Sequence, residues 1–467
     1  MARTPLLKRS GAKSSSNNAA GSKPAGRANA NIPELHDGIK ALHLKDIRAT
    51  HNISRHAPPG ALIVRKAETD LRDHIDNPDY CVISLHGPSK QGKSSLLRPL
   101  IQQSNDVLAI EASDGMRKID LYRGLLQRAG AVIEQGGTES DSVSVKVNLG
   151  ILSLGYQDNA ETPQRTFQGS LVDAQWVSSL IANATPARIL IIDSFHHFSK
   201  AEQTALSKDF TVFAGAGFTI VAAGTWKQAN YLVERNGDLR GQHAHVSVDP
   251  WDEAELQAVV RVGARALGLS LPESLVSAIA RQSNGSIAAL QQICARYYND
   301  VRTGEIEYVG QPPSQLVNTA AQKLSNEMAY DMADTLFKAS RWGTRDTTGR
   351  RIVSYVIEEL LSANAADLRA GFRLETLHDL VHARMKVAAQ AAGQKFSAID
   401  RAEFNQKLKA QWPAHQASIN NTPMFVWDQT IDRFVVNDAM LTFVHRASSA
   451  QLRNAFTETL QTRNDLD

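Results

Sequence analysis

The sequence predicts an α/β fold, a parallel β-sheet covered by helices on both faces, and two observations predict it. Four short apolar runs, "YCVISLHG", "VLAIEAS", "ARILIIDSF" and "FTIVAAGTW", alternate with stretches of helical period. Continuous apolar strands separated by helices are the pattern of a parallel sheet buried on both sides. The first run also passes directly into "HGPSKQGKSS", residues 86–95, and "KSSLLRPLIQQS" continues as a helix. That is the strand–loop–helix context in which a glycine loop holds phosphate.

Gly87, Gly92, Lys93 and Ser94 fit the spacing G-x-x-x-x-G-K-[ST]. The glycines let backbone N–H groups converge on phosphate oxygens at a helix N-terminus, whose partial positive charge favours anions. Gly87, Pro88, Ser89, Lys90, Gln91, Gly92, Lys93, Ser94 and Ser95 are therefore the expected ATP-binding segment. Lys93 reaches the β- and γ-phosphates, and the Ser94 hydroxyl ligates Mg2+. Lys90 is read as facing outward from the loop. The run "ILIIDSF" places Asp193 at the tip of a buried strand, where it becomes the second Mg2+ ligand. Thr225, in "VAAGTW", tips the next strand, where it could sense the γ-phosphate or orient the attacking water.

At 467 residues the chain is too long for one core, and two or three domains are expected. Residues 1–33 open with six basic residues (Arg3, Lys8, Arg9, Lys13, Lys23, Arg27) and no acid before position 30, in a Ser/Gly/Ala/Asn-rich background. Such a stretch cannot bury enough surface to fold alone and is expected to be a disordered basic tail that could touch DNA. Two cysteines, Cys81 and Cys294, exclude a disulfide scaffold and suit a reducing cytoplasm. The histidine pairs His196–His197 and His243/His245 match no metal-ligand spacing. The longest apolar runs are too short to cross a membrane.

The core is expected over 34–248, opening with helical stretches before the first strand. The alternation in "SVSVKVNLG" and "ILSLGYQ" adds a β-hairpin insert at about 140–158, turning near Gly150. Capped helical patterns over 249–308 predict a small helical lid, with "TGEIEYVGQPPSQL" as a linker after it. Residues 309–467 begin with helices and end in "MFVWDQTIDRFVVNDAMLTFVHR", read as a terminal β-hairpin. After Arg350 the order is three helices and then the hairpin, a winged-helix-like order. Arg384, Lys386, Lys395, Arg401, Lys407, Lys409 and Arg433 fall on or near its would-be recognition helix and wing, a possible DNA contact diluted by Glu403, Asp428 and Asp432.

The order of loop, hydrophobic-Asp strand, polar-tipped strand and helical lid resembles the AAA+ and STAND branches of the P-loop ATPases, over roughly Ala61 to Val301. "LHGPSKQGKSSLL", "LIIDSFHHF" and "DLRGQHAHVSVDPWDEAEL" resemble bacterial ATPases of mobile elements and anti-phage loci. AAA+ proteins often carry a sensor arginine just after the lid glycine. Here Ser286 and Ile287 follow Gly285, which leans toward STAND-like switches. Arg240 is similar in placement to the family's arginine finger, and a surface arginine is the other reading. In the family an acid usually follows the Mg2+ aspartate and activates water, whereas here Ser194 follows Asp193. Glu111, or else Asp114, could substitute for that acid; otherwise hydrolysis should be slow. The resemblance implies an ATP-controlled switch that self-associates on ATP binding, acts with a separate effector or partner protein, and serves anti-phage defence. The alternatives are a DNA-binding ATPase of the replication-initiation or transposition-targeting kind, and a non-hydrolysing ATP-bound scaffold.

Overall fold

The computed structural model describes residues 32–51, 65–134, 142–148, 164–248, 250–420, 423–428 and 431–464. Two short helices come first, α1 (Ile32–Lys40) and α2 (Leu44–His51), and they group with the second of two compact units. The tail expected over 1–33 lies outside the described residues up to residue 31; α1 begins at Ile32.

The first unit runs from Arg65 to Val248, less the four residues Pro88–Gln91. After α3 (Lys66–Asp76) come β1 (Val82–His86), α4 (Lys93–Gln103), β2 (Val107–Glu111), α5 (Lys118–Arg128), β3 (Val132–Glu134), β4 (Ser142–Asn148) and β5 (Gln164–Ser170). Then follow α6 (Ala174–Ala184), β6 (Ile189–Asp193), α7 (Lys200–Gly215), β7 (Thr219–Ala223) and β8 (His243–Ser247). Five strands form one sheet in the order β2-β6-β7-β1-β8, and every pairing in it is parallel.

Alternation along these strands sorts their side chains onto two faces. Leu190, Ile192 and Ile220 join Leu121, Leu125, Val177, Ile181 and Leu206 in one apolar layer. Ile83, Leu85, Ile189, Ile191 and Val221 join Leu71, Ile75, Leu96, Leu97 and Leu100 in the other. Burial on both faces explains why β1 and β7 are buried at every residue.

β8 is the strand that the apolar-run pattern missed. It is an edge strand, and only Ala244 and Val246 of "HAHVS" turn inward, so its three polar residues masked the run. The insert also differs in pairing. β4 pairs antiparallel with β3 and with β5. The expected return strand "ILSLGYQ" and the turn near Gly150 lie outside the described residues.

The second unit contains α8 (Glu253–Ala266), α9 (Glu273–Gln282), α10 (Ile287–Thr303), α11 (Pro313–Ser340), α12 (Ile352–Ser362), α13 (Ala365–Ala370) and α14 (Leu374–Ala391). It continues through α15 (Arg401–Gln406), a π-turn (Lys407–Gln411), α16 (Trp412–Asn420), β9 (Phe425–Asp428), β10 (Arg433–Val436) and α17 (Ala439–Asn464). α8 has a reciprocal capping box in which Asp252 and Glu255 bond each other's backbone N–H, and Ser286 caps α10. Part of the expected linker is helix, because α11 starts on Pro313 at a first-turn position where proline is tolerated.

The terminal hairpin is shorter than "MFVWDQTIDRFVVNDAMLTFVHR" suggests. It stops at Val436, and the rest opens α17. Met440, Leu441, Phe443 and Val444 are fully buried at helical spacing, so a helix buries what an alternating strand would leave half exposed. Phe372, between α13 and α14, forms an antiparallel bridge with Phe434: each N–H donates to the other's carbonyl, at 2.9 and 2.8 Å. Trp412, Phe425 and Phe434 stack beneath the hairpin, and the Trp412 indole donates to the Ala339 carbonyl.

Candidate functional site

β1 delivers Gly87 to the carboxyl end of the sheet, where ligands of open α/β folds bind. Gly87 has φ +141°, and a Cβ there would lie 2.5 Å from the Val248 carbonyl oxygen, so no larger residue fits. Its N–H donates to the Trp226 carbonyl at 3.1 Å. The loop then turns through Lys90 at φ +62° and Gly92 at φ +90°, both left-handed. Gly92 starts α4, which leaves the N–H groups of its first turn without helical partners.

Lys93 is 8% exposed, and its ammonium donates to the Gly87 carbonyl at 2.9 Å, closing the loop on itself. Burial lowers its pKa to about 8, while the Asp193 charge works in the opposite direction. Ser94 and Ser95 are exposed on the first turn of α4. Lys90 is exposed as well. At the tip of the loop the Trp251 indole donates to the Gln91 carbonyl at 3.2 Å, and Ser89 bridges Asp438.

A glycine loop of this spacing leads from β1, an interior strand of a five-stranded parallel sheet, into a helix. The fold is that of a P-loop NTPase.

Asp193 ends β6, and its carboxylate accepts the Ser194 N–H at 2.7 Å. Glu111 ends β2 as the register partner of Asp193, and it is exposed. β7 lies between β6 and β1, so Thr225, two residues past β7 and 8% exposed, tips the strand between the Asp193 strand and the loop strand. Arg240 stands apart. It precedes β8, whose His243 is the register partner of Val82 at the start of β1, so it lies at the amino end of the strands while Gly87 lies past their carboxyl end. A five-residue strand spans roughly 16 Å, and that separates Arg240 from its own chain's loop.

Beyond Asp193 the chain reverses through Ser194, at φ +58°, into a short 3-10 turn, Phe195–His197. Phe195 and Phe198 are both buried, the former against Phe210 and Trp226, and Gln203 of α7 donates to the Phe198 carbonyl at 2.7 Å. This clamped turn carries His196 and His197, whose spacing matches no metal-ligand pattern. His197 Nδ1 is 2.5 Å from Asp114 Oδ1, and the His196 and His197 rings lie 4.4 Å apart. Burial lowers the His196 pKa to about 3; the His197 and Lys93 charges add to the shift and Asp114 opposes it. The signal available in the sequence was the position of "HH", immediately behind the strand that ends in Asp193. Among the described residues, no group of three or more His, Cys, Asp or Glu is arranged to hold a metal.

No protein-family model and no curated protein matches the chain. Among solved structures it is similar to the Walker-type ATPase of Pyrococcus abyssi, at 14% identity, with 85% of this chain and 99% of that one covered and a TM-score of 0.48. It is similar to Cdc6p from Pyrobaculum aerophilum at 10% identity, with 90% and 99% covered and a TM-score of 0.41. A third is the Aeropyrum pernix Orc1 protein in complex with DNA, at 11% identity, with 86% and 95% covered and a TM-score of 0.39.

Proposed function

We propose that the chain binds ATP with Mg2+ at Gly87–Ser95, hydrolyses it slowly, and uses the bound nucleotide to control its own self-association. The observation that carries this reading is Lys93, an almost fully buried ammonium at a helix N-terminus within the field of Asp193. Its ammonium donates to the Gly87 carbonyl, and a triphosphate at the same helix N-terminus would place anionic oxygens beside both the ammonium and the first-turn N–H groups. The loop N–H groups bind the phosphates, and the Ser94 hydroxyl and Asp193 carboxylate hold the Mg2+. A Mg2+ held by these two groups would supply positive charge to offset that of the phosphates. Thr225 senses the γ-phosphate, and Arg240 reaches a neighbouring subunit's nucleotide. Slow hydrolysis follows from Ser194, which offers no carboxylate beside Asp193. The lid over 249–308 responds to nucleotide, and the C-terminal region engages a separate effector or partner protein. A cytoplasmic anti-phage setting is the part of this reading carried by the sequence resemblance alone. Among the described residues no helix is long and apolar enough to cross a membrane.

The test is Lys93→Ala, measured by equilibrium binding of Mg-ATP and by light scattering with and without ATP. Loss of binding and of ATP-dependent assembly is expected; retained tight binding overturns the assignment.

A second reading, a DNA-engaging ATPase, is favoured by one observation. The isolated Phe372–Phe434 bridge ties the segment between α13 and α14 to the hairpin, and helices α14 to α16 lie between the bridge and the hairpin, a winged-helix-like order. The charges favour it less, since Arg384 pairs with Glu359, Arg401 with Asp379 and Lys407 with Glu403. ATP-dependent assembly on duplex DNA at physiological salt would select this reading.

A further inference from the structure

We infer that His197, held by Asp114, activates the water that attacks the γ-phosphate, in the place left empty by the absent acid at Ser194. The inference rests on the nucleotide site proposed above. The pair sits where the reaction needs it. Asp114 follows the tip of β2 and His197 follows the tip of β6, and the two strands end as register partners at Glu111 and Asp193. The Ala112 N–H donates to the Asp193 carbonyl at 2.9 Å, which ties the two tips together.

The turn is rigid. Phe195 and Phe198 anchor it at both ends, the His197 N–H closes it on the Ser194 carbonyl at 2.9 Å, and Gln203 clamps it from α7. The Lys93 charge is felt at His196, whose ring lies 4.4 Å from that of His197 and tilted by 37° to it, so the pair lies within electrostatic range of the phosphate loop. Asp114 takes up His197 Nδ1, which sets the tautomer with the proton on Nδ1 and leaves the Nε2 lone pair as an acceptor. A carboxylate behind an imidazole is the arrangement that orients a general base.

The step balances without a further reactant. The water oxygen bonds to the γ-phosphorus as the bond to the bridging oxygen breaks. The electron pair leaves with ADP, and the water proton passes to Nε2 and then to solvent. His197 is the catalytic residue here, and Asp114 is a positioning residue.

The experiment uses the full chain and Mg-ATP, with turnover and equilibrium affinity measured separately for His197→Ala, His197→Gln and Asp114→Asn. His197→Ala is expected to lower kcat by about 100-fold, the usual scale of general-base loss, with ATP affinity unchanged. Asp114→Asn keeps an acceptor for Nδ1 but removes the charge, and is expected to lower kcat less than His197→Ala. His197→Gln, whose amide oxygen can still orient water, recovers part of the loss. An unchanged kcat in His197→Ala overturns the inference, as does a joint fall of kcat, affinity and melting temperature in all three variants, which marks a structural tie. A wild-type chain that binds ATP without turning it over overturns the inference and leaves the binding site standing. A wild-type chain that binds no ATP overturns the nucleotide reading itself.

Discussion

Gly87 and Val248 approach so closely that the loop's first glycine has no substitute: a Cβ at Gly87 would sit 2.5 Å from the Val248 carbonyl oxygen. The atom it meets is backbone one residue past β8, which cannot rotate away as a side chain could. Gly87→Ala is expected to cost about 3 kcal/mol of stability in a denaturant titration and to abolish ATP binding. A variant of wild-type stability would show that β8 yields.

Among the described residues Ser194 is one of four non-glycine residues at positive φ, and its side chain makes no capping hydrogen bond. A β-branched residue tolerates that conformation least and glycine most. Ser194→Val should lose about 2 kcal/mol, and Ser194→Gly should lose none. Thermal melts of the two variants check this, and equal losses would contradict it.

Arg240 lies at the amino end of the strands, away from its own loop at their carboxyl end, so any action on nucleotide would cross to another subunit. Arg240→Ala should bind ATP normally and lose turnover on the order of 1000-fold. Lys93→Ala and Arg240→Ala are then complementary. Mixed at equal concentration, they should show more ATPase activity than the sum of the two alone. A mixture equal to that sum excludes action in trans.

His51 is 4% exposed against Tyr298, and burial lowers its pKa to about 4 from the ordinary 6.5. As pH falls from 6.5 to 4 the unfolded chain takes up a proton that the folded chain refuses. Stability therefore declines over that window and levels off below it. The single-group effect is about 3 kcal/mol. His51→Phe should flatten the pH dependence of the unfolding free energy between pH 6.5 and 4; an unchanged slope would assign it to other groups.

The loop and four of the five parallel strands were legible in the sequence because each writes a local pattern, a glycine spacing or an unbroken apolar run. β8 was not, because an edge strand needs only Ala244 and Val246 to be apolar. The start of α17 was misread because "FVVNDAMLTFVHR" alternates well enough to pass for strand, and only tertiary burial of Met440, Leu441, Phe443 and Val444 decides for helix. The Asp114–His197 contact joins residues 83 positions apart, and neither lies in a spacing that announces it.

Trp251 has a use beyond holding the Gln91 carbonyl at 3.2 Å. It is one of six tryptophans, and its indole N–H is committed to the loop proposed to meet the phosphates. Indole emission follows the polarity and hydrogen bonding around the ring, so this side chain is a fluorophore already wired to the nucleotide loop. The difference between wild-type and Trp251→Phe spectra would isolate its signal and follow filling of the loop in real time, without a labelled nucleotide.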